Sequence, residues 1–233
     1  MQTVIDEFDE RVAEVEEFLK VLERLENPAV VLYHKTTRRQ IRVFEEGSLK
    51  VMKATVFLLV YNVVESSIRS AFTFMYDRIK SEGMACSDLS MEMRSIWIRQ
   101  QFDQMDDDSA APRNYRQLAE TLANDIMQKS AVGLSASALP VSGNLDSSAI
   151  RRVCRSHGVG VKVHYRASGG VELETVKNQR NGLAHGSTSF SDCGQQYTVS
   201  DLKRIKQQAF IFVKGILRNL RRFIDDKRYA SGS

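Results

Sequence analysis

The sequence predicts an all-α protein. Apolar residues recur at helical spacing over long stretches, the 233 residues contain only three prolines, and alternation with a period of two is confined to short pieces. Hydrophobic residues make up 42% and charged residues 27%, a balance that supports a packed core rather than a disordered chain. The expectation is one domain over residues 1–233 with six to eight helices.

In chain order, Phe8, Val12, Val15, Leu19 and Leu22 are spaced by three and four, which predicts an amphipathic helix over 3–26, stopped by Asn27-Pro28. Residues 29–47 are β-branched and basic, and read equally as a second helix or an extended connection. Together, residues 1–47 form an N-terminal helical extension. Residues 48–80 are the most apolar part, free of glycine and proline and too long for a strand, so they predict a long, buried central helix. A helix over 88–102 follows, then an acidic surface loop (QMDDDSAAPRN) and a helix over 115–129. The serine-, alanine- and glycine-rich stretch 130–144 reads as a linker or mobile loop. Residues 145–227 carry the remaining helices. Asp146 has the character of an N-cap, with Gly158 closing that short helix. VGVKVHY is a candidate extended piece and Ser168-Gly169-Gly170 a turn. A helix over 171–185 comes next, and Thr198-Val-Ser-Asp201 has capping-box spacing before a long C-terminal helix ending near Lys227.

The net charge of +4 permits a nucleic-acid partner without requiring one. Cys86, Cys154 and Cys193 are odd in number and far apart, which points to a reducing, cytoplasmic setting. The acidic N-terminus lacks the pattern of a signal peptide, and the apolar run 56–64 is too short to span a bilayer and is broken by Asn62. No membrane association is expected.

The chemistry concentrates in VKNQRNGLAHGSTSF, residues 176–190. Gly182 sits inside a predicted helix at a cost of about 1 kcal/mol relative to alanine, and His185 stands at the helix end. Asn181 and His185 are one turn apart on one face, and the long side chain of Arg180 reaches the same region. A guanidinium binds phosphate oxygens in bidentate fashion, an imidazole exchanges a proton near neutral pH, and a carboxamide orients either the imidazole or the sugar. Gly186 ends the helix, so the helix dipole favours a protonated His185. Arg-x4-His by itself is a weak pattern. The fuller string resembles the HEPN superfamily (higher eukaryotes and prokaryotes nucleotide-binding domain), in particular a prokaryotic branch of endoribonucleases from toxin and phage-defence loci. VSGNLDSSAIRRVCRSHGV resembles the segment that precedes the motif there, and LLVYNVVESSIRSAF its central helix. The likeness is good over about 140–225 and moderate over 50–80.

That resemblance implies a HEPN-like helical bundle that dimerises, bringing two Arg-x4-His motifs to a shared cleft. It further implies metal-independent RNA cleavage by the substrate's own 2′-hydroxyl, leaving 2′,3′-cyclic phosphate ends, with no cofactor. Arg180 and His185 match the signature positions and Asn181 the polar residue that often follows the arginine. The implied partners are RNA, a second copy of the chain, and an antitoxin or other defence-system protein. Ser187 stands where some HEPN toxins carry a tyrosine modified by a partner nucleotidyltransferase, so that control is not expected. The alternative from a different class is a non-catalytic subunit that binds nucleic acid or a protein partner. A weaker third reading takes the helices near 146–158 as a DNA-reading element, without a clear helix-turn-helix partner.

Other features carry two readings each. Asn62, Glu65 and Arg69 fall near one face of the central helix; Glu65 either aligns Arg180 or His185, or forms a self-contained i, i+4 pair with Arg69. On the last helix Lys203, Lys206, Lys214, Arg218, Arg221 and Arg228 lie within about 60° of one direction, either an RNA-steering stripe or a solvated face. Cys154, His157, His164 and Cys193 lack the repeated pairing of a structural zinc site, so no metal is expected. Trp97, Phe72, Phe74 and Tyr76 read as core, and no phosphate-binding glycine loop or acyl-transfer motif is present.

Overall fold

The structure, a computed structural model, describes residues 1–41, 45–103, 112–141 and 143–232. Within them the architecture is all-α apart from a minimal antiparallel ribbon, β1 (Leu32–Tyr33) with β2 (Gln40–Ile41). That ribbon occupies the 29–47 stretch whose character was open. Most of the expected acidic loop, residues 104–111, lies outside the described residues.

The organising element is α2 (Glu46–Ser81), whose apolar side chains point in several directions rather than one. A helix apolar on most sides needs partners on most sides. Those partners are α1 (Gln2–Glu26), α6 (Val171–Ala184), α7 (Phe190–Gln195) and α8 (Val199–Asp225). Phe57, Val64, Ile68, Phe72, Met75 and Ile79 are all buried along its length. The run 56–64 is too short for a bilayer, but α2 as a whole is long and apolar enough to cross one by length and composition. Here about half of its most apolar window is buried by the protein's own elements.

The short-range signals place the helix ends. α1 stops at Glu26 with Asn27 in extended geometry as its C-cap. The Asp146 carboxylate accepts from Ala149 N–H at 2.8 Å to start α5 (Ser147–Ser156), and Gly158, at φ +76°, turns the chain after it. Thr198 and Asp201 form the reciprocal capping box of α8. Between α2 and α5 the chain forms α3 (Met91–Asp103) and α4 (Pro112–Met127); α3 packs against α5, with Trp97 buried. Residues 159–164 form no strand, and Ser168–Gly170 is a kink with positive φ at all three residues, between a 3-10 turn that starts at Tyr165 and α6.

Two features were not anticipated. The stretch 130–144, expected as a linker or mobile loop, carries Val132, Leu139 and Val141 into the core, and Gln100 grips both the N–H and the carbonyl of Ser135. α7 is the second. It lies against the first turns of α2 so closely that a Cβ on Gly194 would stand 1.8 Å from the Lys50 carbonyl oxygen.

Candidate functional site

α6 carries the motif, and its own periodicity sorts the side chains. Leu173, Val176 and Leu183 are buried, and Arg180 falls on their row at spacings of three and four. A guanidinium is therefore drawn toward α2, where the Tyr61 ring meets it. Arg180 Cζ stands 4.6 Å from the Tyr61 ring centroid, within cation–π range. Asn181 and His185 occupy the next row round; Asn181 is half-buried and His185 exposed.

The guanidinium is also held from the side. Arg180 Nη1 donates to the Gly143 carbonyl at 3.2 Å and to Asn181 Oδ1 at 2.9 Å. Asn181 Nδ2 in turn donates to Asn144 Oδ1 at 2.7 Å. Residues 143–145 are themselves tied to α2: Gly143 N–H donates to Glu65 Oε2 at 3.4 Å and Leu145 N–H to the Tyr61 hydroxyl oxygen at 3.1 Å. Burial pushes the Tyr61 hydroxyl up from its ordinary value, with the Leu145 N–H working against that shift, so the ring remains a neutral platform.

His185 is the C-cap of α6, its N–H donating to the Asn181 carbonyl at 3.0 Å. Its imidazole forms no hydrogen bond with another described residue. The chain then turns at Gly186, φ +71°, and folds back over the helix: the Thr188 N–H and the Ser187 hydroxyl both donate to the Gly182 carbonyl, at 3.2 and 3.3 Å. A Cβ at position 182 would stand 3.0 Å from Thr188 Oγ1. The glycine inside the helix is there to let the chain return across it.

The structure thus joins Arg180 to Asn181 directly, and leaves His185 nearby but free. Glu65 pairs with Arg69 at 3.5 Å but also accepts from Gly143 N–H, so the pair is not self-contained. Among the described residues it has no direct hydrogen bond or ion pair with Arg180 or His185, and it reaches Arg180 only through the Gly143 peptide. Glu65, Asn62 and Arg69 also border a groove of about 590 Å³ between α1 and α2, with Arg11 and Phe18 on its other wall. Three lysines of the basic row of α8 are paired with acidic residues of α1. Lys203 pairs with Glu23 at 2.6 Å, Lys206 with Glu16 at 2.8 Å and Lys214 with Asp9 at 2.9 Å. Arg221 pairs with Asp225 and donates to Gln2 Oε1. Arg218 is exposed and has no ionic partner among the described residues.

His157 and Cys154 serve the core. His157 Nδ1 lies 2.7 Å from the Val153 carbonyl, which only accepts, so Nδ1 bears the proton and bare Nε2 accepts from the Tyr76 hydroxyl at 2.6 Å. His164 is exposed and stacks on Tyr165. Among the described residues no group of three or more histidine, cysteine or acidic side chains is disposed to hold a metal.

Sequence reasoning missed Tyr61, Gly143 and Asn144. Tyr61 lay hidden in an apolar run, and the Gly143-Asn144 turn carried only a loop signal. In comparison with known proteins, the family model described as HEPN_MAE_28990-like HEPN matches residues 1–229. No curated protein matches the chain, and no solved structure does. A match over nearly the whole length, on an all-α bundle with the motif at a helix end, decides the family. The chain belongs to the HEPN_MAE_28990-like family of HEPN domains.

Proposed function

We propose that the chain is a metal-independent endoribonuclease of a bacterial defence or toxin–antitoxin system, working as a homodimer. The observation that carries this reading is the contrast at the end of α6. Arg180 is held in place by Tyr61, Gly143 and Asn181, while the imidazole of His185, five residues on, stands exposed with no hydrogen-bond partner among the described residues. A fixed cation and a free proton carrier at one helix end suit phosphodiester transesterification. Arg180 neutralises the non-bridging oxygens of the scissile phosphate. The ribose 2′-hydroxyl attacks the adjacent phosphorus, the P–O5′ bond breaks, and His185 delivers a proton to the departing 5′-oxygen. The second protomer's equivalent motif accepts the 2′-hydroxyl proton, which is why two copies are required. The products are a 2′,3′-cyclic phosphate and a 5′-hydroxyl. Asn181, bridging Arg180 and Asn144, keeps the guanidinium and the 143–145 turn in register. Arg218 is the exposed member of the α8 row available to steer RNA; Lys203, Lys206, Lys214 and Arg221 contribute to steering only as far as their ion pairs to other side chains yield.

The test is incubation of purified protein with total RNA in excess chelator, with end-group analysis and sedimentation. Wild type is expected to cleave as a dimer and leave cyclic phosphates. His185→Ala should lose roughly 10²–10⁴-fold in rate, and Arg180→Ala a comparable amount. Intact RNA with a gel shift would replace this reading with that of a non-catalytic binding subunit.

A further inference from the structure

A guanidinium on a long, flexible side chain is useful against a phosphate only if its donor edge is already aimed. The described contacts show how this chain aims it. The Tyr61 ring, 1% exposed, lies under Arg180. It cannot swing away, because its hydroxyl is anchored by the N–H of buried Leu145 at 3.1 Å. The Gly143 carbonyl takes Nη1 from one side. Among the described residues Nε and Nη2 have no protein acceptor, so that pair of donors is left as the open edge.

We propose that Tyr61 is the positioning residue of the site: its ring fixes the plane of the Arg180 guanidinium, and its hydroxyl fixes the 143–145 turn that supplies the second restraint. One side chain on the central helix thereby sets two of the three contacts of the phosphate-binding cation, the third being Asn181 Oδ1. Glu65 acts on the same turn from its other side, through Gly143 N–H. This proposal rests on the nuclease reading for its kinetic consequence, but its geometry is measurable without any turnover.

The experiment has two arms. In ¹⁵N NMR of the inactive His185→Ala protein, the Arg180 Nε–H signal is expected well upfield of a solvent-exposed arginine through the Tyr61 ring current. Tyr61→Leu in that background should return it to the exposed position, and Tyr61→Phe should retain most of the shift. In cleavage assays, Tyr61→Leu should lower kcat roughly ten- to a hundredfold with a smaller change in KM, Tyr61→Phe should recover part of it, and Tyr61→Leu should add nothing to Arg180→Ala. An Arg180 signal already at the exposed position overturns the proposal in the parent protein, even if Tyr61→Leu does not fold. Additive losses in the double variant overturn it too. If wild type cleaves no RNA, the nuclease reading fails and the NMR arm alone decides Tyr61.

Discussion

Acidification should expose the cost of burying His157. In the folded chain this imidazole is 2% exposed, donates from Nδ1 to Val153 and receives the Tyr76 hydroxyl proton at Nε2. Both contacts suit the neutral ring, and a proton on Nε2 would face a donor. Burial pulls its pKa down from 6.5 to about 4, with the nearby Arg99 charge acting in the same direction and the Val153 carbonyl against it. The unfolded chain therefore takes up the proton first. The stabilisation is complete above pH 6.5 and drains away as pH falls toward 4. At about 1.36 kcal/mol per pKa unit, the loss approaches 3 kcal/mol. Urea titrations followed by circular dichroism at pH 7, 5.5 and 4 measure it, with His157→Gln as the reference that cancels the titrating carboxylates. His157→Gln should be less stable than wild type at pH 7 by about 1–3 kcal/mol, and the gap should narrow or reverse by pH 4. Parallel pH profiles for the two proteins would refute the reasoning.

Two further sites test how the motif helix is seated, one at its N-terminus and one at an ion pair in its middle. Gly170, at φ +83°, precedes α6, and a Cβ there would stand 2.6 Å from the Phe212 ring. Gly169, at φ +67°, has open space around it. Gly170→Ala should combine a left-handed penalty of about 1–2 kcal/mol with about 1–3 kcal/mol of overpacking, and Gly169→Ala only the first, so thermal melts should separate them. Asp146 caps α5 and pairs with Lys177 of α6 at 2.6 Å. Asp146→Ala should cost about 1–3 kcal/mol in denaturant unfolding, with Asp146→Asn recovering the cap but not the ion pair.

What the sequence revealed was what lies close along the chain. Asn27-Pro28, Asp146 and Thr198 with Asp201 mark helix ends within a few residues, and so does Gly186 after the motif helix. α7 escaped notice because its six residues carry too little periodicity and its position depends on Gly194 meeting Lys50 across the fold. Composition made 130–144 look like a tether, although its few apolar residues are core pegs. Tyr61, Gly143 and Asn144 join the site through contacts spanning 37 or more positions, beyond any local pattern. The α8 stripe was legible only in half. Its counterpart, Asp9, Glu16 and Glu23, repeats every seven residues along α1, and a single-helix wheel cannot pair two helices. Family membership came from the match over residues 1–229, because the motif by itself is too short to decide it.

The seam between α1 and α8 has a practical consequence for handling the protein. Proteolytic nicking or trimming of the first helix would strip three carboxylates from Lys203, Lys206 and Lys214 and uncover apolar surface beneath them. The clipped species would cling to any polyanion, heparin as readily as RNA, whatever the state of Arg180 and His185. Retention on a heparin column should thus sort degraded from intact material before any RNA experiment begins.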